Sequence, residues 1–186
     1  MNYRQLIAAS KTHLLHANTP IPDMGEPVPC MPAAHFDTLF PLGARWMYHR
    51  LQELQPADAR PFNPGIRYTR YGLLKYGICI TGSGISLPGL FTYGLFAIPL
   101  SIGIFYLLEI HFLFLFPLLI DQTPNPLLAS IRATYKIGVG RCLITVIPIA
   151  CYMMIGLLRK TNRFNNWYIG CLAIVIWYNH DIRNRL

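Results

Sequence analysis

The stretch YGICITGSGISLPGLFTYGLFAIPLSIGIFYLLEIHFLFLFPLLI, residues 76–120, carries one charged side chain, Glu109. A run of about 45 residues is roughly 68 Å as continuous helix, at ~1.5 Å per residue. A bilayer core takes about 20 such residues, so the run is too long for one span and suits two. Proline is favoured in the first turn of a helix, which places the break near Ala97–Pro99. The spans are then expected over about 74–96, rich in glycine, and about 99–120. A rival division at Ser86–Gly89 gives a short re-entrant piece followed by one long, tilted span.

The flanks of this stretch are polar and basic. RYTRYGLLK, residues 67–75, forms a collar before it, and DQTPNP, residues 121–126, reads as a turn after it. LLASIRATYK (127–136) reads as a short amphipathic segment at the membrane interface, and a third span is expected over 137–158, stopped by RKTNR. The last apolar segment, 167–178, amounts to roughly 18 Å of helix. It is a short fourth span or an interfacial helix, with aromatics at both ends.

Upstream, residues 1–17 suit a short helix with Leu6, Ile7, Leu14 and Leu15 as its apolar positions. In ANTPIPDMGEPVPCMP (17–32) the prolines remove backbone donors and impose an extended, polyproline-like arm. FDTLFPLGARWMYHRLQELQ (36–55) has Trp46, Met47, Arg50, Leu51 and Leu54 at helical spacing. Trp46 and Tyr48 beside Arg45 and Arg50 suit a helix in the headgroup region, with packing on the first helix as the alternative. The reading is an all-α integral membrane protein with three to four transmembrane helices. A proline-rich, partly helical, membrane-proximal region, residues 1–70, precedes a membrane domain, residues 71–186.

Composition agrees with this class. Hydrophobic residues make up 53% of the chain and charged ones only 13%, against about 25% in soluble domains. The formal net charge of +8 does not point to nucleic acid. Its cations fall in groups at segment ends: Arg67, Arg70 and Lys75; Arg132, Lys136 and Arg141; Arg159, Lys160 and Arg163; Arg183 and Arg185. Groups so placed anchor spans at lipid headgroups, whereas nucleic-acid binding needs a continuous basic face. The collar and the 132–136 group outnumber the cations at 159–163, so the N-terminal region is expected on the cytoplasmic side. Nor does 1–20 have the apolar core of a secretory leader. The five cysteines show neither CxxC nor metal-ligand spacing, and most fall in apolar segments as small buried hydrophobes.

Glu109 is the candidate catalytic residue, because an ionisable group within a span is expensive and by default functional. A desolvated carboxyl tends toward its neutral form and then donates a hydrogen bond; an ionised one needs a cation. Lys75 and Arg141 are the two cations placed to supply it. Tyr106 and Phe105 lie on Glu109's side of a helix, while His111 is about 200° further round. The plain alternative is a polar staple between helices, worth about 1 kcal/mol. His111, Tyr106, Arg141, Lys75 and Trp46 are the residues expected to meet lipid or a partner protein.

No metal site or cofactor emerges. His13 and His16 share a helix face, but two histidines are short of a catalytic zinc set. His111 has no second histidine in another span to complete a haem. His180–Asp181 lacks acyltransferase spacing and reads as part of a polar tail, and Gly82–Ser83–Gly84 reads as small-residue helix packing. Two functions remain. One is a non-enzymatic accessory or assembly subunit of a larger membrane complex, with membrane lipid and protein partners. The other is an integral-membrane enzyme or carrier for a lipid-soluble substrate, with Glu109 as buried acid/base or proton carrier and Arg141 and the basic collar holding an anionic headgroup. Polar residues are sparse and scattered rather than gathered at one depth, which favours the first.

Overall fold

A computed structural model describes residues 1–16, 36–55, 61–85, 88, 94, 97–158 and 164–183. Among these every regular element is helical. In chain order the α-helices are α1 (Tyr3–His16), α2 (Phe36–Leu54), α3 (Tyr68–Gly84), α4 (Ala97–Glu109), α5 (Leu115–Ile120), α6 (Pro126–Ile137), α7 (Val139–Leu157) and α8 (Asn165–Asp181). A 3-10 turn, Ile110–Phe112, follows α4. The proline-rich arm, the proposed break at Ser86–Gly89 and the RKTNR stop lie wholly or mostly outside the described residues.

The chain forms two compact units, Met1–Ala59 with Pro148–Leu186, and Arg60–Ile147. The change of unit within α7 falls at Pro148.

In the first unit α8 is the centre. It has no polar face, and Leu172, Ala173, Val175 and Trp177 are wholly enclosed. Both α1 and α2 pack on it. From α1 comes Leu6, and Ser10 is buried beside it because its hydroxyl donates to the Leu6 carbonyl at 2.7 Å. From α2 come Ala44 and Leu51, with the Trp46 ring 5.6 Å from that of Tyr168. Gly170 lets α7 approach, since a methyl there runs into the Met153 side chain. The segment expected as a fourth span or interfacial helix is therefore the core helix of this unit. Segments of 10–14 apolar residues admit that third reading, which composition alone does not separate from the other two.

Arg50 follows the same logic. It is 2% exposed, donates to Glu53 Oε2 at 2.7 Å and lies 5.7 Å over the Trp46 ring. It is a packed, satisfied cation, and α2 rests its apolar side on α8 rather than on α1.

In the second unit α3 packs along α4. Gly82 is the close point, where a methyl would collide with the Leu108 side chain. Of the small-residue packing expected of Gly82–Ser83–Gly84, only Gly82 takes part, since a methyl on Gly84 would meet nothing within 4 Å. Two helical segments are long and apolar enough to cross a membrane, Ala97–Ile120 and Val139–Leu157. The span expected over 74–96 is helical within α3 only as far as Gly84, and most of 85–96 is outside the described residues.

Candidate functional site

Glu109 is the last residue of α4, and the backbone changes character immediately after it. Pro117 is the cause. It has no N–H for the Leu113 carbonyl and its ring crowds that carbonyl, so the helix upstream cannot continue undistorted. The chain passes through the 3-10 turn, reaches φ −95°, ψ 9° at Phe114, and restarts as α5. Carbonyls freed by such a break need donors. α6 supplies them: Ser130 Oγ donates to the His111 carbonyl at 2.8 Å, and Thr134 Oγ1 donates at 2.7 Å to the Ile110 carbonyl, which also keeps a longer bond from the Leu113 N–H at 3.3 Å. Ser130 and Thr134 are wholly buried, and with Ala133 they form one face of α6. The amphipathic segment at 127–136 thus spends its small polar face on the break in the neighbouring helix.

At the end of α4 the Glu109 carboxylate meets Lys75 of α3, with Oε1 and Nζ 3.3 Å apart. The side chains are 17% and 7% exposed, respectively. The ammonium also lies 5.1 Å over the Tyr76 ring. Of the two cations placed to neutralise Glu109, the fold brings up Lys75. Arg141, in the first turn of α7, is exposed. An ionised carboxylate facing an enclosed ammonium needs no further counter-charge. The pair ties α3 to α4 one helical turn from Cys79, which is fully buried on the Lys75 face.

The other expected contact residues have contacts of their own. His111 Nδ1 bonds the Leu107 carbonyl at 2.7 Å, so that nitrogen carries the proton, and the ring stands edge-on to Tyr135 at 5.6 Å. The 3-10 turn distorts the helix between Glu109 and His111, yet their partners differ and no dyad forms. Tyr106 packs edge-on against Phe105. Trp46 belongs to the first unit, in the α2–α8 packing. His13 Nδ1 is 4.0 Å from Glu53 Oε2, beyond hydrogen-bond length. Asp181 is not part of a loose polar tail. It is 9% exposed, accepts from Trp177 Nε1 at 2.9 Å and holds His180 Nδ1 at 2.7 Å.

Sequence reasoning missed Ser130 and Thr134. Their signal was a pair of hydroxyl residues at i and i+4 shortly after a proline-containing apolar helix. Comparison with protein-family models, curated proteins and solved structures finds no match, so the chemistry rests on this geometry alone.

Proposed function

We propose that this chain is a small polytopic integral-membrane protein acting as a non-enzymatic accessory or assembly subunit of a larger membrane complex. The membrane part rests on one observation: the most apolar stretches of Ala97–Ile120 and Val139–Leu157 are only 44% and 28% buried. A soluble protein's core helix of that composition hides most of its surface. Here Ile98, Leu100 and Ile102 on α4, and Ile144, Met154 and Ile155 on α7, stand outward. Lipid tails or partner helices are their natural cover. α3 supplies a further membrane segment through its bare Leu73, Ile78 and Ile80. The N-terminal region lies on the cytoplasmic side, as the larger count of basic residues in the collar and at 132–136 suggests.

The subunit part rests on Glu109. As half of an ion pair with Lys75 it serves as a staple, and a catalytic acid would have to break that pair first. The decisive experiment is native mass spectrometry of the protein extracted in mild detergent. A defined protein partner at fixed stoichiometry, lost on deletion of residues 18–34, is the expected result. A lone chain that turns over a lipid-soluble substrate, and stops doing so in Glu109→Gln with normal abundance, overturns the subunit reading in favour of the enzyme.

A further inference from the structure

The second unit contains a cavity of about 570 Å³ at the start of α3. Three pieces of chain build it: the loop 63–67, the first two turns of α3, and the turn that follows α5. Its shape is set by a clip, because Gln122 Nε2 donates to the Pro61 carbonyl at 3.1 Å and holds the turn against the loop. The turn is sharply wound to allow this, with Gln122 and Asn125 both at φ 52°.

The cavity's lining combines two chemistries. Its polar part is Arg67, the N-cap of α3, and Arg70 in the first turn, together with Thr123 and Asn63. Among the described residues no carboxylate lines it and neither arginine has an ion-pair partner. The opening turn of α3 adds the positive end of the helix dipole, while its Tyr68, Arg70 and Tyr71 N–H groups bond the Ile66 and Arg67 carbonyls. The apolar part of the lining includes Tyr71, Leu74, Leu119 and Pro126. Leu74 leads along α3 to the bare side chains of Leu73 and Ile78.

We infer that this cavity binds the phosphate headgroup of an anionic phospholipid, with the first part of its acyl chains on Leu74 and Leu119. A pair of arginine forks matches phosphate oxygens. A purely polar ligand would leave the apolar lining unused, and a neutral amphiphile would leave two cations uncompensated. The depth also agrees: Arg67 and Arg70 precede the uncharged stretch that begins at Tyr76 by about two turns, the level of headgroups if α3 enters a bilayer there. The inference rests on the membrane part of the proposed function and adds a defined lipid site to it.

The test uses the full chain in mild detergent, with phosphatidylglycerol and phosphatidylcholine of identical acyl chains added in turn, and native mass spectrometry to count retained lipid. Phosphatidylglycerol should be held in clear preference. The R67Q/R70Q variant should lose that preference by roughly 30-fold, since each cation near an anionic surface is worth about fivefold. R67K/R70K, which keeps the point charges but not the forks, should fall between the wild type and R67Q/R70Q. Equal retention of both lipids by the wild type, or unchanged preference in R67Q/R70Q, overturns the inference. So does glycerol phosphate binding as tightly as the lipid, which would make this a site for a soluble phosphate. Alkaline carbonate extraction separates this failure from that of the membrane reading. A chain that stays in the pellet but shows no lipid preference loses only the site, while one released to the supernatant loses both.

Discussion

Lys75 and Glu109 are each costly in their surroundings and acceptable only together. Removing one partner of a buried ion pair costs about 3–5 kcal/mol, because the survivor is left uncompensated, whereas replacing both by apolar residues of similar size is often neutral. Glu109 keeps 17% exposure, which puts its truncation toward the lower end of that range. Glu109→Leu and Lys75→Met should each lower abundance and thermal stability, and the double variant should recover much of the loss. Glu109→Gln should fall between, keeping a hydrogen-bond acceptor for Lys75 without the charge. A thermal-shift double-mutant cycle measures this, and additive losses would deny the coupling.

Asp181 makes a second residue-scale case. Burial raises its pKa, but hydrogen bonds from His180 and Trp177 outweigh that and hold it below its ordinary value of 3.8. A carboxyl depressed in the folded state adds stability that is complete above its ordinary value and is lost as pH falls through the folded one. Acid unfolding monitored through Trp177 should thus steepen below about pH 4, and Asp181→Asn should flatten that limb. Asp181→Ala should be worse at neutral pH by about 1–3 kcal/mol, leaving the enclosed Trp177 N–H without its acceptor.

At the scale of elements, the break between α4 and α5 governs the second unit. Thr134→Val keeps the shape of the side chain and removes the donor to the Ile110 carbonyl, which should cost about 1–3 kcal/mol. Pro117→Ala restores a donor for the Leu113 carbonyl and should straighten the helix, making Thr134→Val harmless in that background. Thermal melts of the four proteins provide the check; equal costs of Thr134→Val in both backgrounds would mean that the proline does not cause the break. The elements also show how far sequence carried. Glu109 stood out as the one acid in 76–120, and Lys75 was one of the two cations placed to neutralise it. Choosing between them required knowing that α3 packs along α4, and that register is set by contacts such as Gly82 on Leu108. The 3-10 turn was hidden because its cause, Pro117, lies downstream of the residues it distorts. The fate of 167–178 was hidden for another reason. Its own residues are equally apolar in lipid or in a protein core, and what covers them, α1 and α2, lies far away in sequence.

For the whole molecule, the argument turns on what surrounds the bare aliphatic faces, and the cysteines report on it. Cys79 and Cys142 are wholly buried, while Cys151 on α7 is exposed. If α7 stood in water, the exposed Cys151 would react readily with a water-soluble maleimide. In a bilayer the same side chain faces hydrocarbon, where no polar reagent arrives. Cys151 should therefore resist labelling in intact membranes and react fully once the membranes are dissolved in sodium dodecyl sulfate, with peptide mapping to separate it from Cys30. Rapid labelling in intact membranes would take α7 out of the bilayer and assign its bare isoleucines to a partner's surface instead. Protection that persists in mild detergent after partners are stripped away would point to lipid-like cover. Protection lost on stripping would show that a partner helix covered this face, as the subunit reading requires.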